Sequence, residues 1–195
     1  VDINRMITIW ERVGAPLGKV KIAPHVPYSE HVSITAGDGR GTAIQDAESM
    51  RSSLLEYLRH RAHSLSSELE MAVSRVKQMI WHEEHMEDYN MRELVDILNI
   101  ALVPDRCSWA VWLSEEECEV ITTGTEFHEE TPHVELIRGV GSMCRWTRPW
   151  VNQARREEEA AIERITATLT TLQRYARELV DDRAEDTSEV PGDNE

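Results

Sequence analysis

Cysteine is scarce in this 195-residue chain: Cys107, Cys118 and Cys144 form an odd set with no C-x-x-C spacing. That pattern argues against a disulfide scaffold or a structural zinc site and points to a reducing compartment, cytoplasmic or otherwise intracellular. No run of 18 apolar residues and no signal-like apolar segment occurs, so neither a membrane span nor secretion is expected. Lysine is nearly missing, with Lys19, Lys21 and Lys77 set against 18 arginines. Basic charge is scarce too: the net charge is -15, a field that repels polyanions and argues against wholesale binding to nucleic acid or anionic membrane, though a local basic patch can overcome it. One Phe and four Tyr leave six Trp as the main aromatics.

Complete chemical motifs are absent as well. Gly37, Gly39 and Gly41 follow HVSIT, but G-x-G-x-G is neither a dinucleotide fingerprint nor a P-loop, and it reads as a hinge. Ser142 in GVGSMC lacks the G-x-S-x-G elbow. His60/His63 and His82/His85 each lie at i, i+3, yet on one continuous helix the pairs sit about 33 Å apart and cannot share a metal within one chain. The reading is therefore of a protein that is not an enzyme, with no cofactor and no metal site.

What is present is helical periodicity. Leu54/Leu65/Val76, Leu58/Leu69/Ile80 and Ala62/Val73 form rows with an eleven-residue repeat, which predicts one long helix over Ile44 to Ile80. Thr42 and Gln45 have the spacing of a capping box to open it. A second helix, Met91 to Leu102, is predicted to stop at Pro104. A third, Trp150 to Asp182, begins after Pro149 and carries a heptad seam of Ile162, Ile165, Leu169, Leu172, Ala176 and Leu179. Short β-prone stretches at Met6 to Trp10, Lys19 to Ile22 and His31 to Thr35 predict an extended arm. WAVWL and CEVIT predict a hairpin in which Val111 faces Val120 and Trp109 faces Thr122, with His133 to Arg138 as a third strand. The expected fold is α+β, mainly α: long amphipathic helices with a small antiparallel sheet and an extended N-terminal arm. The expected divisions are an arm over 1–43, a helical domain over 44–183 with the sheet inserted at about 107–138, and a disordered acidic tail over 184–195.

Charge is segregated. Eight glutamates (Glu115, Glu116, Glu117, Glu119, Glu126, Glu129, Glu130 and Glu135) and no cation lie between Arg106 and Arg138. From Arg138 to Arg156 the chain then holds five arginines and no acid. Such blocks fix register between subunits or pair within one. Within the basic block, Arg145, Trp146, Arg148 and Trp150, followed by Arg155 and Arg156, combine phosphate-neutralising and base-stacking groups. The stretch ELIRGVGSMCR, Glu135 to Arg145, resembles a run near the C-terminal helix of coat proteins from rod-shaped plant viruses of the tobamovirus type; it carries no functional residue across.

These features together predict a non-enzymatic, self-associating structural or assembly subunit, a component of a particle or filament, viral ones included. Leu54, Leu58, Leu65, Leu69, Ile162, Ile165, Leu169 and Leu172 are its expected interface in a homo-oligomer. Two alternatives involve other partners: nucleic acid at the Arg/Trp patch, or a basic protein bound by the acidic segment.

Overall fold

A computed structural model describes residues 3–13, 20–24, 31–36, 42–102, 108–122 and 132–186. The fold is α+β and mainly helical. It divides into two compact units, Val1–Glu68 with Ile165–Glu195, and Leu69–Arg164. Two long helices, α2 (Ala47–Glu84) and α4 (Val140–Asp186), contribute to both.

The first unit opens with a helix, α1 (Ile3–Val13), where the sequence suggested a strand. Met6, Ile9 and Trp10 fall at i, i+3, i+4 and are all buried, so the helical period outweighs the β propensity of Ile-Thr-Ile. The Thr8 hydroxyl donates to the Asn4 carbonyl at 2.8 Å, a bond that suits a threonine held in a helix. Far from being a loose arm, α1 is tied to α4 and α2. Arg5 donates to Glu178 (2.7 Å), Arg12 to the Tyr175 hydroxyl (3.4 Å), and the Tyr57 hydroxyl to the Val13 carbonyl (3.3 Å).

Strands β1 (Val20–Pro24), β2 (His31–Ala36) and β3 (Thr42–Asp46) follow as an antiparallel meander in sequence order. The expected capping box at Thr42 and Gln45 is not formed, because both residues lie in β3. Asp46 takes over instead. Its carboxylate accepts from the Ser49 amide (2.8 Å) and hydroxyl (2.9 Å), bonds that hold the carboxyl below its usual pKa and start α2 three residues later than expected.

The second unit holds the larger contiguous core. After α2 comes a 3-10 turn, Met86–Asp88, then α3 (Met91–Leu102), β4 (Ser108–Ser114), β5 (Glu117–Thr122), β6 (His133–Arg138) and the first half of α4. The boundaries of α3 match the sequence reading. Its start is a reciprocal box, with the Asn90 amide donating to Glu93 (2.9 Å) and the Glu93 amide donating to the Asn90 side chain (3.0 Å). Four methionines, Met79, Met86, Met91 and Met143, fill the core beside Leu94 and Leu98, where flexible thioethers suit the irregular gap between helices and sheet.

Gly139, at φ +83°, turns β6 into α4; its carbonyl receives the amides of Ser142 and Met143, each at 3.1 Å. Any side chain at that φ is strained. Helix α4 therefore begins ten residues before the expected Trp150 and runs through Pro149. Proline costs a helix interior about 3 kcal/mol by removing one hydrogen bond and crowding the carbonyl four residues back. Met143, Cys144, Thr147, Val151 and Ala154 are all buried around it, so packing on both sides holds the helix across the defect.

Several expectations fall on residues outside those described: the hinge over 37–41, the stop at Pro104, Cys107, Glu126, Glu129, Glu130, and the tail beyond Asp186.

Candidate interaction surface

The expected interface does not survive as an open surface. Leu54, Leu58, Leu65, Leu169 and Leu172 are buried within a single chain, while Leu69, Ile162 and Ile165 are half-buried. Along α2 the buried line from Leu58 runs through Leu65, Ala72 and Met79 in steps of seven, whereas Val76 is half-buried and Ile80 is 37% exposed. The eleven-residue repeat thus marks apolar content; the buried positions keep the 3.5-residue period of paired helices.

The basic patch is dispersed in the same way. Arg155 pairs with Glu83, and the Asn152 amide, turned with its nitrogen toward that carboxylate, donates to both of its oxygens (2.9 and 2.8 Å). Arg148 reaches the Glu83 carbonyl (3.5 Å) and lies 3.7 Å from Glu87. Trp146 and Trp150 pack half-buried against the core with their ring centroids 6.0 Å apart. Arg145 and Arg156 remain exposed, with Arg145 donating to Ser142 at 3.2 Å. The cleft beside Arg148 and Arg155 is also lined by Glu83, Glu84, Glu87 and Asp88, an acidic rim that repels a phosphate chain. The histidines are similarly occupied: His85 stacks on Trp81 at 3.7 Å, and His82 Nδ1 lies 3.1 Å from the Tyr89 hydroxyl. Among the described residues no group of three or more His, Cys, Asp or Glu is placed to hold a metal ion.

The surface that stands out is the β4-β5-β6 sheet. Trp109 pairs with Ile121, Ala110 with Val120, and Val111 with Glu119, one residue away from the expected register. The cause is a bulge between Trp112 and Ser114, which leaves Leu113 out of the ladder. Had Leu113 stayed in, counting back from Ser114 and Glu117 would place Val111 on Val120, as the sequence suggested. A slip of one residue reverses every side chain. Small Ala110 therefore faces inward, 6% exposed, while Trp109 (42%), Val111 (36%) and Leu113 (44%) face out.

Asn99 on α3 secures this register. Its amide nitrogen donates to the Ala110 carbonyl (3.0 Å), and its oxygen accepts the Ala110 N–H (2.7 Å). Arg92 on the same helix lies over the Trp112 ring, 5.6 Å from its centroid.

Across the sheet the pairing continues, Ile121 to Val134, Glu119 to Leu136, and Glu117 to Arg138. The inner face buries Cys118, Val120 and Ile137. The outer face carries one row of Trp109, Ile121 and Val134 and a second of Val111, Glu119 and Leu136, with Val134 50% and Leu136 44% exposed. An antiparallel sheet with one wet side normally alternates apolar with polar residues. Here the outer face also carries exposed apolar side chains, Trp109, Val111, Val134 and Leu136, set around Glu119. An ion pair, Arg138 to Glu117 at 3.0 Å, lies at the end next to the α4 turn.

Comparison with protein-family models, with curated proteins and with solved structures finds no match to the chain. Among the described residues, no helix is long and apolar enough to cross a membrane.

Proposed function

We propose that this protein is a non-enzymatic, self-associating structural or assembly subunit whose contact surface is the outer face of the β4-β5-β6 sheet. The observation that carries the reading is that face itself: five large apolar side chains, Trp109, Val111, Leu113, Val134 and Leu136, each at least 36% exposed on one small sheet. Water contact with them is lost when a second apolar surface covers them, and the gain scales with the area buried. Most of the helical seam is already buried inside one chain, with Leu69, Ile162 and Ile165 half-buried, so the sheet offers the more open apolar face. A reducing compartment fits this reading, since Cys118 and Cys144 are free, buried, and have thiol pKa values pushed up by that burial.

Absolute mass from size exclusion with light scattering tests the proposal. The wild type is expected above the 22.4 kDa of one chain, and the Trp109→Ser/Val111→Asp variant at a lower mass with unchanged helicity. A wild type at the mass of one chain overturns it.

A further inference from the structure

The sheet has two edges, and their chemistry differs. At the β4 edge the Asn99 amide takes both the N–H and the C=O of Ala110, so that edge is plugged. The same bonds fix the direction of every backbone group in the sheet. Ala110 turns its N–H and C=O away from β5, which makes Ala110 and Val120 a non-hydrogen-bonded pair. Val120 then turns its groups toward β6, and Glu135 opposite it turns back toward β5. The 2.8 Å bond from the Gly139 amide to the Glu116 carbonyl has the same parity. By alternation, Val134, Leu136 and Arg138 direct their N–H and C=O groups outward from the β6 edge, and they are the same residues whose side chains stand on the outer face.

From this the geometry points to a second copy of this chain as the partner of β6: two β6 strands pair antiparallel about a two-fold axis through Leu136, giving a continuous six-stranded sheet. The inference rests on the self-association reading and adds a second contact to the outer-face one, along the strand edge. An isologous pair must place outer-face residues opposite outer-face residues, which leaves few registers. Centring on Glu135 sets two glutamates directly opposite, which is unfavourable. Centring on Val134 shortens the overlap to the strand's first half. Centring on Leu136 pairs Leu136 with its own copy and Val134 with Arg138 of the other chain. It also places Glu135 opposite Ile137, and every outward backbone group from Val134 to Arg138 gains a partner. The assembly closes at two along the sheet direction, because the outer edges of the joined sheet are then both β4, plugged by Asn99.

Cysteine cross-linking in a Cys107→Ser background tests the register, with the full-length protein mildly oxidised at neutral pH. Leu136→Cys is expected to form an intermolecular disulfide, since the two Cα atoms of such a pair lie about 5.5 Å apart. Val134→Cys alone is expected to cross-link at least tenfold less, and to gain the cross-link when combined with Arg138→Cys. Leu136→Pro, which removes an outward N–H that β5 does not use, is expected to halve the mass of the associated species. A wild type that associates, with Leu136→Cys no better than Val134→Cys, overturns edge pairing and leaves the outer-face reading standing. A wild type of 22.4 kDa overturns both. Should Leu136→Pro fail to fold, the cysteine pair decides alone.

Discussion

At the residue scale, Asn99 carries two consequences through one amide. Its bonds to Ala110 join α3 to β4 and hold the strand in its bulged register. Asn99→Ala leaves a half-buried backbone donor and acceptor without partners, and chemical denaturation is expected to register a loss of about 2–3 kcal/mol. Asn99→Asp keeps the acceptor alone and should fall between that variant and the wild type; equal stability of all three would sink this account. His82 is a second reporter. Burial lowers its pKa below 6.5. The unfolded chain therefore takes up the proton first as the pH falls, so the stability tied to His82 is complete above about pH 6.5 and declines below it toward the lower folded pKa. Thermal midpoints measured from about pH 7 to about pH 5.5 should fall more steeply for the wild type than for His82→Gln. Parallel curves for the two proteins would remove His82 from the pH dependence.

At the level of the elements, α4 accommodates Pro149, which the sequence reads as a boundary. If packing on both sides carries the helix through Pro149, then Pro149→Ala restores a hydrogen bond without disturbing the buried neighbours. The expected gain is about 1 kcal/mol or more in urea denaturation, and a loss would mean that the proline shapes the helix. The limits of what can be read from residues alone are clear in these elements. α3 and the β6 strand were legible because period and boundary signals agreed. α1 was not, since Ile7, Thr8 and Ile9 favour strands locally while the face made by Met6, Ile9 and Trp10 is settled by tertiary burial. The start of α4 was hidden because a proline signals a stop unless the packing around it is known. The outer sheet face was missed for a similar reason: alternation in WAVWL was visible, but which half of it points inward depends on Asn99, whose partner lies eleven residues away.

For the whole molecule, the division between inside and outside assigns the apolar residues to two jobs. Leu58 is 1% exposed within one chain, so Leu58→Ala should lower the unfolding free energy by about 2–5 kcal/mol whatever the protein concentration. A loss that grows on dilution would return the helical seam to the subunit interface. The bulge at Leu113 bears on how this chain tolerates change over generations. Point substitutions along β4 act one side chain at a time, on the surface at Trp109, Val111 and Leu113 or on the interior at Ala110. A gain or loss of one residue between Trp109 and the hairpin turn re-sorts all of them together. Descendants of this sequence should therefore accept a single substitution along the strand more readily than a change in its length.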